Sequence, residues 1–150
     1  MKIGVLLPRP PDEFGEWLAD ATAFEAAGAD ALWIDPGPTA DPLTLAAALA
    51  ALTYRSLLVT TLADGVAEPR ALATVKRLSR DRFALSADGE WEHWLRVPPP
   101  TGRAAWRETL ADATERGAPG LLVPADSRLL DMLRNPVDPG GRQDLHIAQG

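Results

Sequence analysis

The sequence contains no cysteine, which excludes disulfide bonds, thiolate metal sites and cysteine nucleophiles. It also lacks a long apolar run. The longest, Leu43 to Leu52, is about half of what a bilayer requires, so we expect no membrane partner. The N-terminal segment is short in apolar residues and soon acidic, unlike a signal peptide, which predicts a cytoplasmic protein.

Positive charge is scarce as well. The chain has 15 Lys and Arg against 21 Asp and Glu, a formal net charge of -6. Such a chain repels a phosphate backbone, and its one basic cluster, within residues 70–82, has no interleaved aromatic residues, so we expect no nucleic-acid partner. No phosphate loop, nucleophile elbow or metal-binding histidine pair is present, which argues against the standard hydrolase, kinase and zinc-enzyme classes and predicts no metal.

What is present is typical of a globular domain. Hydrophobic residues make up 46% of the chain and charged residues 24%, which leaves little support for disorder. A chain of 150 residues fits one domain that buries about two thirds of its unfolded surface. We predict a single α/β domain over residues 1–136 and a polar C-terminal tail over residues 137–150.

Apolar runs of strand length alternate with segments of helical spacing. The five predicted strands cover residues 2–7, 31–34, 56–62, 82–87 and 120–123. Asp12, Asp41 and Asp126 are predicted helix caps, and Gly28 and Gly117 are predicted helix ends. Because the strands show little polar alternation, they predict a parallel sheet covered on both faces, either an open doubly wound sheet or part of a barrel.

Three segments in order, "FEAAGADALWID", "DPLTLAAALAALTYRSLLVTTL" and "EPRALATVKRLSRDRFALSADG", resemble the N-terminal half of the bacterial luciferase-like monooxygenases. In the last segment Pro69, Ser79, Arg82 and Phe83 occupy positions of the family's pattern, with Asp81 where glycine is usual. The resemblance covers residues 1 to about 89. It implies a shortened or partial TIM-type barrel with about five βα units, a bound FMN or deazaflavin, and oxidoreductase activity.

The chain also departs from that family. Members are roughly twice as long, and the second half of such barrels commonly supplies a phosphate site. Two histidines of the family have no counterpart, since Pro36 follows Asp35 and Glu68 precedes the third helix. The alternative is therefore a non-catalytic binding or scaffold module without a cofactor. In either case a five-strand arc leaves edges that a second copy can cover, so we expect a homodimer.

Candidate site residues follow from where the strands end. In a parallel βα fold the pocket lies at the carboxyl ends of the strands. The predicted cofactor-binding residues are Arg9, Asp35, Thr60, Thr61, Ser86 and Asp88, with Asp64, Glu90 and Asp126 as further carboxylates at these ends. The resemblance places Thr60 and Thr61 where the family lines its flavin ring.

Each candidate also has a structural explanation. Converging carboxylates act as general acid and base or hold a divalent cation, but aspartate is equally common in turns and at helix caps. Buried threonines in a strand need only packing. His93, between Trp91 and Trp94, either stacks on a flat ligand or lies at the edge of tryptophans that cover the core or a dimer contact. His146 has no partner in the sequence.

Overall fold

The computed structural model describes residues 1–63, 66–88 and 90–138 of the chain, without the side chains of Asp88, Glu90 and Glu92. In this part of the chain six strands form one sheet, in the order β4-β3-β2-β1-β6-β5, and every neighbouring pair is parallel. The strands are β1 Lys2–Leu6, β2 Ala31–Ile34, β3 Leu57–Thr60, β4 Phe83–Leu85, β5 Leu95–Arg96 and β6 Gly120–Pro124. The predicted α/β fold is confirmed.

Five helices alternate with these strands. They are α1 Phe14–Ala26, α2 Pro42–Leu52, α3 Pro69–Leu78, α4 Arg103–Glu115 and α5 Ser127–Arg134. Two short 3₁₀ turns, Ser86–Asp88 and Glu90–His93, follow β4. None of the described helices is long and apolar enough to cross a membrane.

Local sequence signals account for several helix ends. The Asp41 carboxylate accepts a hydrogen bond from the Thr44 N–H at 2.7 Å, with Pro42 at the first helical position. Gly28 and Gly117 follow the C-terminal ends of α1 and α4, and their φ angles are +105° and +67°. Glycine suits these two positions because a residue with a Cβ is strained in this backbone conformation. The predicted cap Asp12 is wrong: Glu13 is the N-cap of α1, and its side chain makes no capping hydrogen bond.

The two faces of the sheet are covered differently. Side chains alternate along each strand, so that Val5, Leu32 and Val123 lie on one face and Gly4, Ala31 and Leu122 on the other. The buried apolar residues of all five helices belong to the cluster on the first face. The second face is covered by Trp91 and Trp94, whereas a doubly wound sheet has helices on both faces. The arrangement is that of a partial TIM-type barrel, an arc with helices outside.

The strand β5 is absent from the sequence-based prediction. It has only two residues, too few for a recognisable pattern, and it lies in the sheet because it pairs with β6, with Leu95 opposite Leu121. The strand order places β6 beside β1 and β5 beyond β6, as the closing strands of a barrel would be, and leaves β4 and β5 as the edges of the described sheet.

Candidate functional site

The carboxyl ends of β1, β2 and β3 meet at a groove of about 420 Å³. Its lining comes from the three loops that follow these strands and consists of Arg9, Asp35, Pro36, Gly37, Pro38, Ala40, Pro42, Thr61 and Ala63. Gly37 has φ +64°, and a Cβ there would lie 3.2 Å from Cδ of Arg9. The loop after β2 thus folds tightly under the Arg9 side chain.

Arg9 and Asp35 form the polar centre of this groove. Arg9 Nε donates to Asp35 Oδ2 at 3.0 Å, while Asp35 Oδ1 accepts from the Gly37 N–H at 3.0 Å. The hydrogen bond from Gly37 and then that from Arg9 lower the pKa of Asp35. Asp35 is therefore an anion at neutral pH and a poor proton donor, and the charge of Arg9 is already compensated.

The three predicted hydroxyl residues differ in position. Thr60 is buried, and its Oγ1 donates to the Ile34 carbonyl at 3.0 Å. Its hydroxyl is therefore used in a hydrogen bond to the neighbouring strand. Thr61 lines the groove, and its Oγ1 lies 2.8 Å from Oγ of Ser86 at the end of β4. The structure brings Arg9, Asp35 and Thr61 together at one groove and places Ser86 beside Thr61.

The remaining carboxylates do not join this group in the described structure. Asp126 accepts a hydrogen bond from the Arg128 N–H at 2.8 Å and caps α5, as its structural explanation requires. The backbone of Asp88 ends the first 3₁₀ turn, but its side chain and that of Glu90 are not described, and Asp64 lies outside the described residues. Among the described residues no group of three or more His, Asp or Glu side chains is placed to hold a metal ion.

Tryptophans cover the second face of the sheet. The rings of Trp33 and Trp91 are 5.7 Å apart and nearly perpendicular, and Trp94 lies 5.4 Å from Trp91. A Cβ on Gly4 or Gly120 would come within 2.8 or 2.6 Å of the Trp94 ring. Glycine inside a strand indicates that another group approaches the backbone closely. The sequence shows these glycines but not that Trp94 is the group that approaches them.

His93 lies beside this tryptophan cluster in the chain. Trp94 is buried in the second core cluster, while His93 is exposed at its margin, so the tryptophans cover the core of the arc. The buried indole N–H groups of Trp33 and Trp91 have no acceptor within the described part of the chain. His146 lies outside the described residues.

At the amino ends of the strands, polar side chains form hydrogen bonds that stabilise the fold. Glu25 is 6% exposed, and its Oε1 accepts hydrogen bonds from the N–H groups of Tyr54 and Arg55. The Arg82 guanidinium donates to the carbonyls of Thr53 and Ser56 at 2.8 and 2.7 Å. In parallel βα folds residues at the amino ends of the strands contribute to stability, and the functional site lies at the carboxyl ends.

Neither models of known protein families nor curated proteins give a match to this chain. The resemblance to the luciferase-like monooxygenases therefore stays a prediction from the sequence.

Proposed function

We propose that the groove at the carboxyl ends of β1 to β3 binds the flat ring of a flavin or deazaflavin, in a shortened relative of the luciferase-like monooxygenases. The observation that carries this proposal is the convergence of Arg9, Asp35 and Thr61 on one groove. A volume of about 420 Å³ lies within the range of roughly 300–1,000 Å³ that small-molecule sites occupy.

The lining suits a ring better than a phosphate. Prolines and alanines supply flat apolar walls, and Thr61 and Arg9 supply donors for ring carbonyls. The carboxylate of Asp35 opposes an anionic group, and Arg9 is already paired with it. A cofactor phosphate consequently lies outside this groove.

A bound flavin would supply the redox chemistry, and the chain would position the ring and exclude water. Asp35 cannot donate a proton at neutral pH, since its hydrogen bonds lower its pKa. The groove residues that the structure describes include no histidine. The proposal is accordingly one of cofactor binding, with any oxidoreductase activity coming from the cofactor itself.

A fluorescence titration with riboflavin, FMN and a deazaflavin tests this proposal. We expect saturable binding at micromolar concentration. Ala63→Trp, at an exposed wall of the groove, is expected to abolish it, while Ala111→Trp on the exposed side of α4 leaves it unchanged. Absence of saturation at millimolar concentration, or equal loss in both variants, would contradict the proposal.

The second candidate is a non-catalytic homodimeric scaffold. It is favoured by the edges of the arc, because β4 has no further partner strand in the described sheet and Ala84 and Leu85 on it are only half-buried. An open edge strand offers unpaired N–H and C=O groups to another chain. A dimer without ligand binding would support this candidate over the first.

A further inference from the structure

A second cavity, of about 210 Å³, lies at the amino ends of β3 and β4, beside the C-terminal ends of α2 and α3. It is at the edge of the sheet opposite to the Arg9–Asp35 groove, and no residue lines both. Its lining combines small and large apolar side chains with two guanidinium groups and includes Ala50, Ala51, Tyr54, Leu78, Arg80 and Arg82.

Large apolar side chains are exposed around this cavity. Tyr54 is 72% and Leu78 48% exposed although both line it, and Leu52, two residues before Tyr54, is 44% exposed. Exposed apolar side chains that gather at a pocket are typical of a binding surface. The hydrogen bonds that stabilise this end of the fold leave these side chains unused.

Arg82 is fixed at the wall of the cavity. Its Nη1 donates to the Ser56 carbonyl at 2.7 Å and its Nη2 to the Thr53 carbonyl at 2.8 Å, while its Nε is buried without an acceptor in the described part of the chain. Burial lowers the pKa of Arg82, the Glu25 carboxylate opposes this decrease, and the charge of Arg80 adds to it. An arginine stays protonated in proteins, so Arg82 is a cation that has lost part of its hydration.

Arg80 is the mobile cation of the pair. Its side chain is exposed at the cavity, and its guanidinium forms no ion pair or hydrogen bond with any described residue. Arg80 and Asp81 have φ +53° and +59°, a left-handed conformation that is uncommon for residues with a Cβ. Such strained residues are found often at ligand sites.

The segments around the cavity are rich in positive charge. Residues 50–55 and 76–82 contain five cations and one carboxylate, that of Asp81, and the Glu25 carboxylate of α1 interacts with Arg82. These groups carry a net charge of +3, in a chain whose net charge is -6. An anion bound beside Arg80 would lower the repulsion among the cations, which are Arg55, Lys76, Arg77, Arg80 and Arg82.

We infer that this cavity binds a small aromatic carboxylate, with the carboxylate on Arg80 and the ring against Tyr54 and Leu78. Both Nη atoms of Arg82 already donate to backbone carbonyls, so Arg80 offers the unoccupied guanidinium fork. One such fork matches the two oxygens of a carboxylate. A volume of about 210 Å³ is below the roughly 300–1,000 Å³ of pockets for larger ligands, which favours a single ring.

A nuclear magnetic resonance titration of the isotopically labelled full chain tests this inference with phenylacetate, acetate and benzyl alcohol at constant ionic strength. Acetate lacks the ring, and benzyl alcohol lacks the charge. With phenylacetate we expect saturable shifts of the amide signals of residues 50–55 and 78–82. We expect the other two compounds to bind on the order of tenfold more weakly, because each loses one of the two interactions.

Arg80→Ala and Arg80→Gly are each expected to weaken phenylacetate binding on the order of tenfold, the effect of losing a hydrogen bond to a charged group. Glycine adopts the left-handed conformation of residue 80 without strain, so weaker binding by Arg80→Gly does not reflect a less stable fold. Arg80→Lys keeps the charge but loses the fork, so an intermediate affinity is expected.

Arg77→Ala is the matched control, because Arg77 is an exposed arginine in the last turn of α3 that does not line the cavity. It removes the same charge from the same surface and should leave the affinity nearly unchanged. Equal weakening by Arg77→Ala, equal affinities of acetate and phenylacetate, shifts confined to the Arg9–Asp35 groove, or no saturation at tens of millimolar would each overturn the inference. Ala63→Trp, in the proposed flavin groove, should leave phenylacetate binding unchanged, so failure of one site is distinguishable from failure of the other.

Discussion

Asp35 lies between a backbone N–H and a guanidinium, and both interactions favour its charged form. The sequence places Asp35 directly after β2, where an aspartate is consistent with a turn, a helix cap or a binding site. The structure shows that Asp35 both stabilises the loop after β2 and lines the groove. Its Oδ1 accepts from the Gly37 N–H and its Oδ2 from Arg9 Nε. The sequence could not decide this, because Arg9 follows a different strand, 26 residues away.

The lowered pKa of Asp35 predicts a specific pH dependence of stability. Because the folded pKa lies below the unfolded value of about 4, ionised Asp35 stabilises the fold fully above that value. The contribution is lost as the pH falls through the folded pKa. Urea unfolding of the wild type and Asp35→Asn should therefore show a difference in unfolding free energy at pH 7 that shrinks in acid.

The expected size of that difference is modest, because the Asp35 side chain is 44% exposed and its pair with Arg9 is screened by solvent. Asp20→Asn, at an exposed position of α1, serves as the control. A difference for Asp35→Asn that grows as the pH falls would show that the carboxylate is not stabilised in its charged form.

The 90–94 segment is the element that the sequence explains least. Its tryptophans are consistent with a ligand-stacking site, a dimer contact or core, and only the tertiary structure places Trp94 on the glycines of β1 and β6. The helices were easier to predict. Asp41 with Pro42, and Asp126 before α5, act within a few residues of the chain, so their signals are complete in the local sequence.

Gly120→Ala tests the contact between β6 and Trp94. A Cβ at this position would lie 2.6 to 2.8 Å from three atoms of the indole, so we expect destabilisation of about 1–3 kcal/mol from overpacking. Urea unfolding gives the free energy, and near-ultraviolet circular dichroism should report a displaced tryptophan. In the Trp94→Leu background the same substitution should cost less.

Gly15→Ala is the matched control for this experiment. Gly15 lies in α1 with no atom within 4 Å of an added Cβ, so alanine should stabilise the chain by about 0.5–1 kcal/mol. Equal costs of Gly120→Ala with and without Trp94 would contradict the proposed contact.

The whole molecule is an arc of six described strands with its helices on one face. A closed barrel has no edges, whereas β4 and β5 have none of the described strands on their outer sides. A second copy that covers these edges would complete the structure by symmetry. The homodimer stays a prediction at this scale.

Sedimentation equilibrium checks this prediction directly. We expect twice the mass of one chain for the wild type and a monomer for Ala84→Lys, because lysine on an edge strand opposes pairing. Ala111→Lys, on an exposed helical position, should remain dimeric. A monomeric wild type would exclude the dimer and with it the scaffold candidate.

The sequence by itself determined the α/β alternation, the parallel sheet, four of the helix boundaries to within a residue or two, and the loops that carry Arg9, Asp35 and Thr61. These features depend on local periodicity, on turn residues and on the rule that parallel strands end at one edge. The tertiary structure decided which face the helices cover, how β5 joins β6, and that the Thr60 hydroxyl bonds to the Ile34 carbonyl and does not line the groove. The physical reason is that these features depend on residues distant along the chain, whose positions are set by packing and strand pairing and not by local sequence.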